Sequence, residues 1–262
     1  MNAETPQAAE LNLPRAFLLL ATNDQDGKPE VPMFALRTTL AGAILAELEL
    51  IGAIGLQGKH VRATGTAPPT DLQHELERIR GKSRPHTPKR WVSMLEGRAE
   101  MQRVYEGMAA LGIVEHVGEK HLGVFRTVRY PEKDHAPEAA LLKKIQAVLG
   151  GAPPESAKPD AAASDAAAPD AGTSDTEAPA AATDVVAPAH GKPAPATPDA
   201  KAPDARTTAL IALLQAAGLL SKLVPVADKI RASELAKDYW PSRAVEDELR
   251  MIRLAEEEEP GI

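Results

Sequence analysis

The stretch LRTTLAGAILAELELIGAIGL (Leu36–Leu56) carries the strongest structural signal in the chain. Its first part, Leu36–Ile51, consists mainly of small and branched aliphatic side chains and contains no proline. Gly52 follows directly, and glycine is the residue favoured just past the C-terminus of a helix. We therefore predict a strong helix over Leu36–Ile51 that ends at Gly52.

Two acidic residues, Glu47 and Glu49, interrupt this aliphatic helix. A carboxylate in such a place is either a general base with a raised pKa or a structural group that accepts hydrogen bonds from a neighbouring helix end. Buried carboxylates are more often structural than catalytic. We therefore interpret Glu47 as a structural partner of another helix.

Working outward from this helix, the pattern predicts further helices and two hairpins. Pro14 lies near one helix start, and Gly112 ends a helix whose apolar stripe runs from Met101 to Leu111. The other predicted elements are a hairpin over Ala53–Thr64, a helix opened by a Thr70/Gln73 capping box and ending at Arg80, a helix capped by Thr87-Pro88, a second hairpin over Ile113–Val128 with its turn at Gly118–Lys120, a helix ending near Leu149, and helices over Arg206–Val224, Asp228–Lys237 and Ser242–Glu259.

The composition changes sharply between Gly151 and Pro203. These 53 residues contain 19 alanines and 10 prolines, and their only sizeable apolar side chains are two valines. Such a segment buries too little surface to offset the entropy of ordering it, so we predict that it is disordered. It holds 8 acidic residues and 3 lysines, so most of the net charge of −7 belongs to it.

The overall composition excludes several classes of protein. With no cysteine there is no disulfide framework, no Cys-ligated metal and no thiol nucleophile. The pI near 5.6 argues against a nucleic-acid partner. No phosphate-binding loop, dinucleotide fingerprint, H-E-x-x-H or G-x-S-x-G motif is present, and we expect no enzyme and no cofactor. No signal peptide or membrane span is visible, so we expect a cytoplasmic protein.

Seven cations lie within the 21 residues from Arg78 to Arg98. They form either an anion site for phosphate groups or a solvated basic loop. Trp91, in the same segment, is either a membrane-interface anchor or the core anchor of its helix. The seven cations are Arg78, Arg80, Lys82, Arg84, Lys89, Arg90 and Arg98.

His116 and His121 flank the predicted second turn, and we interpret them as solvated histidines rather than as metal ligands.

Taken in order along the chain, several blocks resemble the Golgi phosphoprotein 3 family. The ordered series is more specific than any single block. The blocks are LPRAFLLLATNDQDG, LRTTLAGAILAELELIGAIGL, TGTAPPTDLQHELERI, RWVSMLEGR, ALGIVEHV, LGVFRTVRYP and PDARTTALIALLQAAGLL.

The resemblance implies a mainly helical single domain, a bundle wrapped by amphipathic helices with one or two short β-hairpins. It further implies a flexible N-terminus over 1–10, a first part of the domain over 11–150, an insertion over 151–203 and helices over 204–262 that complete the same domain. Eukaryotic members bind phosphatidylinositol 4-phosphate headgroups and act as peripheral adaptors for Golgi glycosyltransferases. We accordingly expect an anionic phospholipid headgroup and membrane-enzyme clients as partners, on the cytoplasmic face of a membrane.

The family's pocket residues are only partly present in this sequence. The pocket tryptophan falls near Pro32 or Met33, the first basic residue on Ala41, and a later pair on Arg98 and Met101. Arg37 lies one helical turn before Ala41, and we expect its side chain to reach the space that the family's first basic residue occupies.

The headgroup candidates are therefore Arg37 and Arg98, with Arg90 or Lys89 adding positive potential. The alternative is a protein–protein interaction module of the same fold that has lost lipid binding. In that case the hairpin 113–128 pairs between protomers and forms a homo-oligomer.

Overall fold

The structure, a computed structural model, describes residues 11–65, 67–121, 125–150, 204–225 and 229–258. The predicted flexible N-terminus over 1–10 and the predicted disordered insertion over 151–203 lie outside the described residues. The part of the chain that the structure describes is mainly helical and carries two antiparallel hairpins, which confirms the predicted fold class.

Ten helices and four strands are found in the described ranges. None of these helices combines the length and the apolar character needed to cross a bilayer. The helices are α1 Leu13–Leu20, α2 Met33–Leu50, α3 Gln73–Arg80, α4 Pro88–Leu95, α5 Arg98–Ala110, α6 Ala136–Leu149, α7 Ala205–Ala216, α8 Leu220–Leu223, α9 Lys229–Ala236 and α10 Trp240–Glu258, and the strands are β1 Ile54–Gln57, β2 His60–Ala63, β3 Val117–His121 and β4 Phe125–Arg129.

The first hairpin agrees with its prediction, and the second forms as predicted but with its strands at other positions. Strand β1 pairs with β2, with Ile54 opposite Ala63. In the second hairpin Gly118 lies opposite Val128, in the middle of the β3–β4 ladder, so the turn predicted at Gly118–Lys120 is wrong. Ile113 and Val114 are buried in the core before the ladder begins, and the apolar signal that we assigned to a strand belongs to that core.

Two glycines with positive φ set the ends of the main core helices. Gly52, at φ +71°, follows α2 as predicted. Gly218, at φ +76°, separates α7 from α8, so the single helix predicted over Arg206–Val224 is wrong. The run Ala209–Leu220 contains Gln215 as its one polar side chain and continues through Gly218 with apolar residues on both sides, which is why the sequence pattern did not reveal the turn. Left-handed backbone at this point costs a glycine little and other residues more.

One of the two predicted helix caps is correct. The Thr87 hydroxyl accepts a hydrogen bond from the Arg90 N–H at 3.4 Å, and Pro88 occupies the first turn of α4. The Thr70 hydroxyl instead accepts from the Leu72 N–H at 3.2 Å, in a turn that precedes α3. The Thr70/Gln73 capping box is therefore wrong, because Gln73 begins the helix rather than closing its first turn.

Helix α2 forms the middle of the core and packs against α1, α4, α7 and α10. Its Leu36, Ile44 and Leu48 are completely buried. A Cβ at Gly42 would overlap the Val245 side chain of α10, so glycine is what allows these two helices to approach closely. The described residues on both sides of 153–202 belong to one compact unit.

Glu47 of α2 connects α1, which precedes α2 in the chain, with α7, which follows it. Its Oε2 atom accepts a hydrogen bond from the Leu13 N–H at 2.9 Å, in the first turn of α1. Its Oε1 atom accepts from the Arg206 guanidinium of α7 at 2.7 Å. The residue is only 4% exposed, and its carboxylate satisfies a helix-end donor that has no partner within its own helix. This confirms the structural interpretation of Glu47.

Replacing Arg206 with methionine tests how much its ion pair with Glu47 stabilises the fold. Removing the guanidinium leaves a buried carboxylate without its charged partner, so we expect the free energy of unfolding to fall by about 2–3 kcal/mol in urea denaturation. Lys222→Met is the matched control, since its ion pair with Glu30 lies on the surface. The control should cost less than about 1 kcal/mol. Equal losses in the two variants would contradict a special role for Glu47.

A chain that stops at Gly150 tests whether α7 belongs to the same folding unit. This truncation removes Leu210, Ile211, Leu213 and Leu214, each at most 2% exposed, and so uncovers the apolar surface of α1 and α2. We expect the fragment to lose its cooperative thermal transition or to aggregate. A fragment that remains monomeric and melts cooperatively would show two independent domains instead.

Candidate anion-binding site

The structure divides the basic segment Arg78–Arg98 into three groups with different surroundings. Arg78 donates to the buried carboxylate of Glu100 and to the Met94 carbonyl at 2.9 Å, so it is a structural residue. Lys89 lies 3.9 Å from the Glu248 carboxylate of α10. The third group consists of exposed cations and contains Arg80, Lys82, Arg84, Arg90 and Arg98.

Three of these exposed cations line one cavity, together with a fourth that the sequence analysis did not include. Arg80 ends α3, and Lys82 and Arg84 lie in the loop before α4. Arg62 comes from β2 of the first hairpin. The cavity has a volume of about 430 Å³, within the range typical of small-molecule sites. We refer to it as the basic cavity.

The inner wall of the basic cavity is apolar and buried. It is formed by Val61, Ile79 and Trp91, which are all at most 5% exposed. Trp91 is 1% exposed, so its interpretation as a core anchor is confirmed and its interpretation as a membrane-interface anchor is wrong. Its indole Nε1–H is buried and has no hydrogen-bond partner among the described residues. A buried donor without a partner is rare and marks a place where an acceptor is missing.

Main-chain and ring contacts hold the cation-bearing loop in place. The Val61 N–H donates to the His86 carbonyl at 2.9 Å, which joins β2 to the end of the loop. The His86 ring meets the Trp91 ring edge-on, with centroids 5.6 Å apart. The Thr87 cap then begins α4. The loop that carries Lys82 and Arg84 is thus fixed where it joins α4.

The electrostatics of the basic cavity favour an anion. No acidic side chain is found among the described residues that line it, and its four cations make no ion pair within the described part of the chain. A cleft lined by one sign of charge beside a low-dielectric wall concentrates counter-ions. Guanidinium groups also bind phosphate oxygens in bidentate fashion. The arrangement is chemically suited to holding a phosphate group.

The environment of Arg37 differs from that of the basic cavity. Arg37 is half-buried on α2, and the next residue, Thr38, donates its hydroxyl to Glu96 at 2.8 Å. Burial raises the pKa of Glu96, the Glu248 carboxylate raises it further, and the Arg37 guanidinium lowers it. Arg37 therefore already interacts with the carboxylate of Glu96.

The four headgroup candidates do not line the basic cavity. Arg98 is exposed at the first position of α5, and Arg90 is exposed on α4. Arg37 and Lys89 lie beside acidic residues. Sequence reasoning missed Arg62 because only the fold of the first hairpin brings it to Arg80. The spacing along the chain carries no signal for that contact.

The two histidines of the second hairpin are only partly described. The His116 ring is exposed and stacks on Tyr130 with centroids 5.2 Å apart. This exposure agrees with its interpretation as a solvated histidine. The side chain of His121 lies outside the described residues.

Replacing Arg37 with methionine tests whether this residue balances the charge of Glu96. The Arg37 guanidinium partly offsets the rise in the pKa of Glu96 that burial causes. Its removal therefore destabilises the folded protein only at pH values at which Glu96 is ionised. We expect a loss of stability at pH 7.5 that shrinks as the pH falls to 4, measured by urea denaturation. The loss should stay below about 1 kcal/mol because solvent screens this partly exposed group. Arg98→Met, exposed at the start of α5, is the control and should show no such pH dependence.

Comparison with known proteins gives one clear match. The family model described as Golgi phosphoprotein 3 (GPP34) matches residues 13–252, which include α1, the core helix α2 and most of α10. No curated protein matches the chain significantly. The match covers most of the chain on both sides of the segment 151–203, in agreement with the order of blocks seen in the sequence. The chain belongs to the Golgi phosphoprotein 3 (GPP34) family.

Proposed function

We propose that this protein is a peripheral membrane adaptor that binds a phosphorylated anionic lipid headgroup, similar to that of phosphatidylinositol 4-phosphate. Membership of the family supports a Golgi phosphoprotein 3-like adaptor, and that family is one of non-enzymatic adaptors. The observation that carries the phosphate specificity is the basic cavity, with four cations and no described carboxylate in its lining.

The energetics are consistent with reversible membrane binding. A charge-assisted hydrogen bond contributes roughly 1.5–3 kcal/mol. The four cations are exposed when no ligand is bound, so part of this energy is lost to solvent screening. Two or three such bonds give a salt-sensitive site of moderate affinity. An adaptor that exchanges between membrane and solution requires that range of affinity.

The shape of the basic cavity favours a headgroup over a diffuse negative surface. Its inner wall is formed by Val61, Ile79 and Trp91, which offer apolar contact to a sugar ring, and the four cations of the lining are exposed. A flat basic surface provides no such apolar contact and distinguishes lipids only by net charge.

Arg98 and Arg90 have a second part in this proposal. Both are exposed and lie outside the basic cavity, so they add long-range positive potential as the protein approaches a membrane. Arg37 and Lys89, which lie beside carboxylates, are proposed to contribute less. The prediction from the sequence instead has Arg37 and Arg98 grip one phosphate group. The two versions of the site differ in which variants weaken binding.

Co-sedimentation with vesicles compares the two versions of the site. Arg84→Gln removes a cation from the basic cavity and should weaken binding to vesicles containing phosphatidylinositol 4-phosphate by about tenfold. Arg250→Gln, an exposed change of the same charge on α10, is the matched control and should have little effect. Higher salt should weaken the wild type more than Arg84→Gln, because the variant has lost one of the screened charges.

Each of the other outcomes has a definite meaning. If Arg98→Gln and Arg37→Gln weaken binding and Arg84→Gln does not, the headgroup site is the one predicted from the sequence. If phosphatidylserine vesicles of equal charge bind as well, headgroup recognition is refuted. Wild-type protein that ignores all anionic vesicles at low salt would refute lipid binding and favour the protein–protein interaction module.

A further inference from the structure

A second cluster of ionisable side chains lies where three segments of the chain meet, apart from the basic cavity. Asp24 belongs to the loop between α1 and α2, and Glu132 follows β4 closely. His135 is the N-terminal cap residue of α6, and Glu138 lies in the first turn of that helix. The last three form the sequence E-x-x-H-x-x-E, which α6 and the residues before it place close together.

The side chains of this cluster converge on one small volume. One possible ligand atom from each of Asp24, Glu132 and His135 lies within 4.8 Å of the others. The Nδ1 atom of His135 contacts the Oε2 atom of Glu132. The carboxyl group of Glu138 lies close to those of Asp24 and Glu132. Three carboxyl groups and one imidazole therefore face one another.

Backbone contacts fix the two segments that carry Asp24 and Glu132. The Glu132 N–H donates to the Asp24 carbonyl at 3.0 Å. A Cβ at Gly27, which has φ +64°, would overlap the backbone of Tyr130, so only glycine permits this approach. The Lys133 N–H donates to the Ile113 carbonyl at 2.8 Å. The two carboxylates are thus held together by the fold rather than by a flexible surface loop.

One carboxylate oxygen of the cluster lacks a partner. The Glu132 side chain is only 2% exposed, and its Oε1 atom is buried and accepts no hydrogen bond among the described residues. No described lysine or arginine makes an ion pair with Asp24, Glu132 or Glu138. Burying a carboxylate oxygen without a donor or cation is costly. The missing element at this point is a positive charge.

We propose that Asp24, Glu132 and His135, with the carboxyl group of Glu138 beside them, form a binding site for one divalent cation of the zinc or manganese class. Carboxylate oxygens and a neutral imidazole nitrogen are ligands that Zn²⁺ takes readily, and Mn²⁺ accepts a similar set. Mg²⁺ and Ca²⁺ prefer sites made of oxygen alone. A doubly charged ion balances most of the charge of three carboxylates and provides the buried Glu132 oxygen with a partner.

The cation has a structural role in this proposal and does not depend on lipid binding. It joins the loop after α1, the segment that leaves β4 and the first turn of α6. The loop after α1 is distant along the chain from the other two segments, so the ion acts as a cross-link at the base of the second hairpin. Its loss is expected to loosen that base and to leave the basic cavity unchanged.

Isothermal titration of chelator-treated full-length protein with ZnCl₂ and MnCl₂ tests the proposal. We expect one ion per chain and a higher melting temperature in the presence of either metal. Asp24→Asn and His135→Ala should each weaken binding at least about tenfold, since each removes a ligand. His135 is 71% exposed, so its replacement is not expected to unfold the protein.

Asp26→Asn is the matched control because Asp26 belongs to the same loop and pairs with Lys28 instead. It should bind the metal as the wild type does. The proposal is overturned if neither metal binds, or if Asp24→Asn and His135→Ala bind as tightly as Asp26→Asn. Equal or tighter binding of Mg²⁺ would also overturn the assignment of the imidazole as a ligand. Vesicle binding that persists when the metal is removed would separate this site from the proposed lipid function.

Discussion

The hydrogen bonds of the buried Glu47 carboxylate are the constraint on which the rest of the fold depends. A charge in the core is tolerated only when its oxygens are fully partnered. Here the partners are the Leu13 N–H of α1 and the Arg206 guanidinium of α7, so the carboxylate fixes both helices against α2. Because Arg206 follows the segment 151–203, this contact brings the parts of the sequence on either side of that segment into one core. The remaining elements pack around that core.

The pairing of charges within the fold also determines which charged side chains are available to bind a ligand. Some basic residues of the segment Arg78–Arg98 form ion pairs within the fold, as Arg78 does with Glu100. Others, such as Arg84, remain without a described carboxylate and surround a cavity with an apolar inner wall. The cluster around Glu132 shows the opposite imbalance, since carboxyl groups meet there without a described lysine or arginine partner. The basic cavity is suited to an anion and the cluster to a cation.

The sequence predicts well those features that depend on local chemistry. The helix α2, its end at Gly52, the Thr87 cap and the structural role of Glu47 all follow from residue type and spacing. The break at Gly218 could not be predicted, because an apolar run hides a single left-handed residue.

The second hairpin was misplaced because buried apolar residues before a strand look like the strand itself. Arg62 and Asp24 were missed as site residues for a third reason. Each joins its site through tertiary contacts with residues that are remote in sequence, and no pattern within one segment encodes such contacts.

Native-state amide hydrogen exchange tests most directly whether Glu47 unites the core. We predict that the slowest amides of α1, α2 and α7 exchange with the same free energy, equal to that of global unfolding. Exchange of α7 at a distinctly lower free energy than α2 would contradict the account.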